Sequence, residues 1–241
     1  MGTRTFPTVS GRFYGVGVGP GDPELITLGA LRVLQRVPVV CVPQSRTSRE
    51  SYALGIVGGY LDLQKQEVLK VTFPTEDAEE AAAVWRAAAD SIGERLQRGQ
   101  DVAFITEGDP MLYSSFAYVL ENVAQAFPQV PIEIIPGVSS VTAAAASAQV
   151  PLVTRGQRLA ILPAVYGIDD LSKAIANYDT IVLMKVNRSL IQALAGLKES
   201  GLAGKGIYVR RATTDREEVV QDLHQLSKED LDYFSLLIIK R

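Results

Sequence analysis

The stretch GRFYGVGVGPGDPELITLGALRVL, Gly11 to Leu34, decides the fold class. It begins with a short apolar run typical of a buried strand, passes through a loop with a glycine at every second position, and ends in a helical pattern. Asp22 can accept hydrogen bonds from the free amides at the start of a helix, and Pro23 suits its first turn. The stretch therefore predicts a strand, a glycine-rich turn and a helix over Pro23–Gln35.

The same alternation of apolar runs and helical segments continues to the end of the chain. Predicted strands cover Arg12–Val18, Val37–Val42, Val102–Ile105, Ile132–Ile135, Leu159–Leu162, Thr180–Met184, Gly206–Val209 and Leu236–Ile239. Further helices are predicted over Glu76–Gln97, Ser114–Phe127 and Leu190–Ser200, and a helix of small residues follows PGVSS. This alternation predicts α/β layers with largely parallel strands. We expect two α/β domains, residues 10–153 and 154–241.

Composition excludes several classes of function. The chain has 241 residues, 47% of them hydrophobic and 21% charged, and a net charge of −3 without a long basic run, so a nucleic-acid backbone is not an expected partner. Cys41 is the only cysteine and His224 the only histidine, which leaves little for a disulfide, a metal site or a histidine-based triad. No apolar segment resembles a signal peptide or a membrane span, so we expect a cytoplasmic protein with no membrane association.

The glycine loop does not fit the common nucleotide-binding patterns. In a dinucleotide fingerprint the sixth residue is a glycine, whereas counting from Gly15 or Gly17 gives Pro20 or Asp22. Pro20 cannot donate an amide hydrogen bond, and Asp22 would repel a phosphate. Two interpretations stay open at this point: a tight turn that needs positive φ, or a turn that lets a bulky, weakly anionic ligand approach the backbone.

Two further strand exits carry unusual sequences. TEGDPMLYSS follows the strand that ends near Thr106, and PGVSS follows the strand over Ile132–Ile135. In an α/β sheet, such loops lie at the carboxyl edge of the strands, where ligands usually bind. Three special exits together favour a ligand site over three ordinary turns.

These motifs carry a resemblance to a known family. GVGVGPGD, GDP, PGVSS and VLMK occur in the order found in the tetrapyrrole (uroporphyrinogen-III/precorrin) methyltransferases, and the resemblance extends from Arg12 to Lys240. Within that family, TEGDPMLYSSFAYV, VPQS, RLAILPA and RRATTDREEV are most similar to the precorrin-2 C(20)-methyltransferases of cobalamin biosynthesis. The resemblance implies two α/β domains with S-adenosylmethionine in the cleft between them, and a homodimer. It also implies methylation of carbon 20 of precorrin-2 or of cobalt-factor II.

The resemblance also implies a set of site residues. The cofactor site would include Pro20, Glu107, Gly108, Asp109, Leu112, Ser139, Ser140, Met184 and Ala212. Family members often have glycine at position 107 and Thr-Ala at positions 139 and 140, so contacts there would be made by the backbone. Asp109 would bind the ribose hydroxyls or the amino end of the cofactor, and the other interpretation is a turn residue before Pro110.

The chemistry implied for the family needs few special side chains. The sulfonium makes the methyl group an electrophile, so the enzyme mainly has to align it with the tetrapyrrole carbon. Glu107 and Tyr113 are the candidates for a catalytic proton acceptor, and either could equally be structural. The substrate carries eight carboxylates, which calls for arginine donors. The candidates are Arg46, Arg49, Arg155, Arg188, Arg210 and Arg211.

Other functions compete with the one that the resemblance implies. One is a methyltransferase of the same family that acts on another tetrapyrrole carbon or on a protein. A second is a non-catalytic carrier of a tetrapyrrole or an adenosyl ligand, since catalysis by alignment leaves no signature nucleophile. A nucleotide-dependent oxidoreductase is disfavoured, because the ribose-binding acid and the dinucleotide fingerprint are both missing.

Overall fold

The structure is a computed structural model that describes residues 11–44, 51–72, 78–163, 168–186, 205–223, 226 and 232–240. The chain divides into two compact units, Met1–Val138 and Ser139–Arg241. The sequence places the domain boundary later, between residues 153 and 154. Each unit contains one five-stranded sheet with helices beside it.

The first unit has an entirely parallel sheet. Its strands are β1 Phe13–Gly17, β2 Val39–Gln44, β3 Glu67–Thr72, β4 Val102–Thr106 and β5 Ile132–Ile135, in the order β3-β2-β4-β1-β5. All four strand pairs run parallel. The helices are α1 Leu28–Leu34, α2 Tyr52–Val57, α3 Ala78–Gln97 and α4 Phe116–Ala126, with 3₁₀ turns at Pro23–Leu25 and Gly58–Tyr60. Because β1 lies between β4 and β5, the loops that leave these three strands meet at one edge.

Both faces of β1, β2 and β4 are buried, which explains the continuous apolar runs in their sequences. On one face, Phe13 and Phe104 pack with residues of α3 and α4. On the other face, Tyr14 and Ile105 pack with residues of α1 and α2. Cys41 points into the first of these cores, and burial raises the pKa of its thiol well above the ordinary value.

The second unit has a mixed sheet. It contains α5 Ser140–Ser147, β6 Leu159–Pro163, α6 Ile168–Asn177, β7 Thr180–Met184, β8 Gly206–Arg210, β9 Glu218–Val220 and β10 Ser235–Lys240. The strand order is β6-β7-β10-β8-β9. β6 and β7 are parallel, and β10 runs antiparallel to both β7 and β8. The carboxyl ends of β7 and β8 therefore lie at the same edge as the amino end of β10.

The predicted α/β fold class is confirmed, and each predicted strand is found with its ends shifted by at most one or two residues. The prediction of largely parallel strands holds for the first sheet. The second sheet is mixed, since hydrophobic periodicity locates a strand but carries no information on its direction. Sequence reasoning did not find α2, β3, α6 and β9. The predicted helix over Leu190–Ser200 lies outside the described residues.

The single helix predicted over Pro23–Gln35 is wrong. Asp22 accepts the amide of Glu24 at 2.8 Å and caps only a 3₁₀ turn. Thr27 then accepts the amide of Ala30 at 3.1 Å, so a new helix begins at Leu28. The second capping residue divides the segment.

Within the described ranges, the chain contains no helix of the length and apolar character needed to span a bilayer. The cytoplasmic localisation stays a prediction.

Candidate active site

Three loops meet at the carboxyl edge of the first sheet, namely residues 18–22 after β1, 107–115 after β4 and 136–138 after β5. The Gly108 amide donates to the Gly19 carbonyl oxygen at 2.7 Å, and the Gly19 amide donates back to Gly108 at 3.4 Å. The Val18 amide donates to the Thr106 carbonyl oxygen at 3.0 Å. The first two loops are thus held together by their backbones.

Glycines allow this close approach of the loops. A Cβ atom on Gly17 would lie 2.6 Å from both the Gly108 oxygen and the Gly137 nitrogen. A Cβ atom on Gly137 would lie 2.1 Å from the Gly108 oxygen. Gly19 and Gly108 have φ values of +86° and +64°, which only glycine adopts at little cost. The glycine pattern is therefore explained by backbone packing between the loops.

Asp109 joins the second and third loops. One oxygen of its carboxylate, Oδ1, accepts the Met111 amide at 2.8 Å within its own loop. The other, Oδ2, accepts the Gly137 amide at 3.0 Å from the loop after β5. The turn role considered for Asp109 is thus present in the structure, and the cofactor contact stays a prediction.

The Tyr113-Ser114-Ser115 run has an unusual backbone and a structural hydroxyl. Tyr113 has φ +50°, a strained value for an aromatic residue, and its side chain is 41% exposed. The Ser114 hydroxyl lies 2.8 Å from that of Thr106 and accepts the Phe116 amide at 3.1 Å. Ser114 therefore ties the start of α4 to the end of β4. Ser115, at the helix N-cap, makes no side-chain capping bond.

The charges on this edge have one sign. The three loops contain Asp22, Glu107 and Asp109, and their sequences include no lysine, arginine or histidine. Such an edge disfavours a phosphate and favours a cationic group, since like charges repel and opposite charges attract. The arrangement suits a ligand that carries positive charge and no phosphate.

The second unit has its own special edge, where β7 and β8 end. Lys185, Arg211 and Thr213 follow these strands with φ values of +57°, +48° and +68°. The Thr213 amide donates to Glu217 Oε2 at 2.5 Å, and the Ser147 hydroxyl at the end of α5 donates to the same oxygen at 2.6 Å. These bonds fix the turn that contains Ala212.

Arg211 is held on two sides. Its Nε donates to Asp232 Oδ2 at 2.6 Å, and its guanidinium carbon lies 5.5 Å from the centre of the Phe234 ring. Asp232 Oδ1 accepts the Phe234 amide at 2.9 Å. The buried Tyr208 hydroxyl accepts the Asp232 amide at 3.1 Å, and burial raises the pKa of this phenol.

Some of the residues predicted for the cofactor site belong to the first unit and the others to the second. Pro20, Glu107, Gly108, Asp109 and Leu112 lie on the adjoining loops of the first unit. Met184 and Ala212, both buried, lie at one edge of the sheet in the second unit. Ser139 caps α5 by accepting the Val141 amide at 3.2 Å, and Ser140 is the first residue of that helix.

The predicted substrate-binding arginines are not all brought together. Arg211 lies at the edge just described, and Arg210 pairs with Glu218. Arg155 lies in an exposed turn before β6, at the opposite edge of the sheet. Arg46, Arg49 and Arg188 lie outside the described residues.

Sequence reasoning missed Lys185, Asp232 and Glu217. Asp232 and Arg211 are far apart in the chain and meet because β10 pairs with β8, with Ser235 opposite Arg210. Hydrophobic periodicity carries no information on which strands are neighbours, so no local sequence pattern predicts the contact between Asp232 and Arg211. Among the described residues there is also no cluster of three or more histidines, cysteines or acids that could hold a metal ion.

Known proteins resemble this chain over most of its length. The profile of the family described as Tetrapyrrole (Corrin/Porphyrin) Methylases matches residues 12–226. The cobalt-precorrin-2 C(20)-methyltransferase of Salmonella typhimurium is 33% identical, over 97% of this chain and 98% of its own. A protein of Methanocaldococcus jannaschii, called a probable cobalt-precorrin-2 C(20)-methyltransferase, is 38% identical over 95% and 96%.

A solved structure agrees with these relatives. The uroporphyrin-III C-methyl transferase of Thermus thermophilus, complexed with S-adenyl homocysteine, is 26% identical, with a TM-score of 0.67 over 96% of this chain and 98% of the other. The resemblance predicted from the motifs is confirmed. Since one family profile matches most of the chain and both relatives align with nearly all of it, the chain belongs to the tetrapyrrole methylase family.

Proposed function

We propose that this protein transfers a methyl group from S-adenosylmethionine to carbon 20 of precorrin-2, or of its cobalt-containing counterpart, in cobalamin biosynthesis. One observation carries the proposal: the identity of 33% and 38% to two proteins named for this reaction extends over nearly the whole chain. The sequence after GDP supports it, since TEGDPMLYSSFAYV is one of the runs that are most similar to the precorrin-2 C(20)-methyltransferases.

The loops of the first unit suit S-adenosylmethionine chemically. This cofactor carries a sulfonium and an ammonium group and no phosphate, and the edge formed by the three loops is acidic. Each carboxylate oxygen has two acceptor positions, so Asp109 retains acceptor capacity for a hydroxyl or an ammonium after binding the two amides. The residues that would hold the cofactor are Pro20, Glu107, Gly108, Asp109, Leu112, Ser139, Ser140, Met184 and Ala212.

The chain contributes mainly alignment. The bound cofactor supplies an electrophilic methyl group, and a meso carbon of a reduced tetrapyrrole is electron-rich, so no strong base has to create the nucleophile. The hydrogen bonds of Asp109 and the backbone bonds of Gly108 fix the loops before a ligand arrives. Fixed groups of this kind lower the entropic cost of bringing the reacting atoms together.

Glu107 and Tyr113 are the proposed proton acceptors for the step in which the methylated carbon loses a proton. Tyr113 suits the role because its side chain is exposed on a strained loop beside the predicted cofactor residues. If either residue acts as the base, Glu107→Gln or Tyr113→Phe lowers kcat about 100-fold. An unchanged kcat in both variants would assign both residues to structure.

The test is methyl transfer by the purified protein under anaerobic conditions. Labelled S-adenosylmethionine is incubated with precorrin-2, with its cobalt-containing form, with uroporphyrinogen III and without an acceptor. We expect label in the product of one or both precorrin-2 forms, and S-adenosylhomocysteine in equal amount. Label transferred only to uroporphyrinogen III would indicate a methyltransferase of the same family that acts on another tetrapyrrole carbon. Cofactor binding with no transfer to any acceptor would indicate a carrier.

We also propose that the protein is a homodimer. An open, largely apolar groove of about 440 Å³ lies beside the end of α5 in the second unit and is lined in part by Val150, Pro151, Leu152 and Val153. An exposed apolar surface of this kind is suited to contact with a second copy. Sedimentation equilibrium should give a dimer mass, and a monomer at micromolar concentration would overturn the proposal. Val153→Asp should weaken association if this groove is the contact.

A further inference from the structure

Two cations lie on either side of the segment that enters β10. Lys185 follows β7 and Arg211 follows β8, and β10 lies between these two strands. The segment Asp232–Phe234 precedes β10 and contacts both cations. The sheet topology thus brings together three parts of the chain that are far apart in sequence.

The contacts of Arg211 leave one side of its guanidinium available. Nε is bonded to Asp232, and one face of the group lies over Phe234. Within the described part of the chain, the Arg211 side chain makes no other hydrogen bond or ion pair. Its two Nη groups therefore retain the parallel N–H donors that bind a carboxylate in bidentate geometry.

Lys185 has a similar position on the other side of β10. Its Nζ lies 5.6 Å from the centre of the Tyr233 ring, and Tyr233 is 53% exposed. The two cations follow strands that are separated by one other strand, so their backbones are about 10 Å apart. That spacing suits two different carboxylates on one large ligand rather than a single carboxylate.

The backbone supports a functional role for this edge. Both Lys185 and Arg211 have positive φ, a conformation that costs free energy in any residue with a side chain. Strain of this kind is typical of sites where the direction of a side chain matters.

We propose that Lys185 and Arg211 form a carboxylate-binding pair for a polycarboxylate tetrapyrrole, and that Asp232 is the positioning residue that orients the Arg211 guanidinium. The inference rests on the proposed function for the class of ligand. It extends that function by naming Lys185 as a second cation and Asp232 as the residue that directs the first.

The experiment measures binding of a stable probe and turnover separately. Uroporphyrin III carries eight carboxylates and coproporphyrin III carries four, and both can be titrated by fluorescence. The variants are Arg211→Gln, Arg211→Lys, Lys185→Met and Asp232→Asn. The matched control is Arg158→Gln, because Arg158 also lies over a tyrosine ring, that of Tyr178 at 5.9 Å, but precedes β6 at the opposite edge of the same sheet.

We expect about 10-fold weaker uroporphyrin binding in Arg211→Gln, and a smaller loss in Lys185→Met and Arg211→Lys, since a bidentate pair exceeds a single charge in strength. Asp232→Asn retains an acceptor for the Phe234 amide but not the charge, and should weaken binding several-fold and raise KM for precorrin-2 more than it lowers kcat. Binding of S-adenosylhomocysteine and the melting temperature should stay near those of Arg158→Gln. Coproporphyrin should bind the wild type more weakly than uroporphyrin does, and the substitutions should change its affinity less.

Uroporphyrin binding in Arg211→Gln and Asp232→Asn that equals binding in Arg158→Gln would overturn this inference. So would equal losses for uroporphyrin, coproporphyrin and S-adenosylhomocysteine at an unchanged melting temperature, since those would show no contact specific to the polycarboxylate. The proposed function is judged separately by wild-type turnover. A wild type that binds uroporphyrin through Arg211 but methylates no tetrapyrrole would retain this inference and remove the enzymatic one.

Discussion

At the residue scale, Gly137 is the point where the three loops of the first unit are most closely packed. Its Cα position leaves no room for a methyl group, because the Gly108 carbonyl oxygen would lie 2.1 Å from a Cβ atom. Backbone atoms cannot move away as the end of a side chain can. The steric cost of a single methyl group should therefore be large here and absent at a glycine that faces open space.

Gly137→Ala should lower the free energy of unfolding by about 1–3 kcal/mol, the usual cost of overpacking, and should weaken S-adenosylhomocysteine binding by displacing the loops. Urea denaturation and calorimetric titration measure the two effects. The control is Gly55→Ala in α2, where nothing lies within 4 Å of the new Cβ. That change should stabilise the protein slightly, by up to about 1 kcal/mol. Equal stability of the two variants would contradict the packing described here.

Asp109→Asn tests the carboxylate that joins two loops. An asparagine has one acceptor oxygen, so its NH₂ group would face either the Met111 or the Gly137 amide. We expect a loss of about 1–3 kcal/mol in the free energy of unfolding, because one donor is left without its partner. Asp90→Asn, at an exposed position of α3, is the control and should be neutral. A neutral Asp109→Asn would show that the loops hold without this clamp.

At the element scale, the start of α4 depends on the residue before its formal N-cap. Ser114→Ala removes both the bond to Thr106 and the acceptor for the Phe116 amide. We expect a loss of about 1 kcal/mol in the free energy of unfolding. Ser115→Ala is the matched control, since Ser115 makes no side-chain capping bond. The reverse order of effects in denaturant titrations would place the cap at Ser115.

The single cysteine, Cys41, lies buried in β2, and this burial should make it unreactive in the native protein. Burial raises the pKa of the Cys41 thiol, and the thiolate is the reactive form, so the native protein should not react with a disulfide reagent such as DTNB. The same protein in guanidinium chloride should react fully. Fast stoichiometric labelling of the native state would mean that β2 opens readily or is not buried.

Elements were predictable where local chemistry decided them. The continuous apolar runs of β1, β4 and β7 follow from burial on both faces of a sheet, so the sequence alone located them. β3 was missed because it is an edge strand with several exposed residues. The predicted helix over Pro23–Gln35 is divided because Thr27 provides a second N-cap after Asp22. Helix propensity does not indicate which of the two residues starts the α-helix.

At the scale of the whole molecule, the local charges at particular sheet edges matter more for ligand binding than the net charge of the chain. The chain has a net charge of −3 and would repel a polycarboxylate as a whole. The three loops at the carboxyl edge of the first sheet are acidic, whereas Lys185 and Arg211 place two cations at one edge of the second sheet. Binding of the tetrapyrrole should therefore depend on a few local contacts, and binding of the cofactor on others.

Ionic strength should separate these contacts. Raising the salt concentration from about 0.1 M to about 1 M shortens the screening length from about 10 Å to about 3 Å. We expect KM for the tetrapyrrole to rise several-fold, because its charges meet partly exposed cations, while KM for S-adenosylmethionine changes little. Steady-state kinetics at several salt concentrations measure both values. An equal rise in both would contradict a separate cationic site.

The site was predictable in part. GDP and PGVSS indicated the loops, and the family resemblance gave Asp109 and Ala212 their expected roles. The clamp between Asp109 and Gly137 and the pair of Arg211 with Asp232 were not predictable, because each depends on which strands are neighbours in the sheet. Local pattern contains turns and burial, whereas contacts between distant loops follow from topology.

The most direct test of the central claim is the position of the new methyl group. The protein is incubated anaerobically with ¹³C-methyl S-adenosylmethionine and precorrin-2 or its cobalt-containing form, and the product is assigned by NMR. We predict a single labelled methyl group on carbon 20. A labelled methyl group on any other carbon, or none despite bound cofactor, would contradict the account.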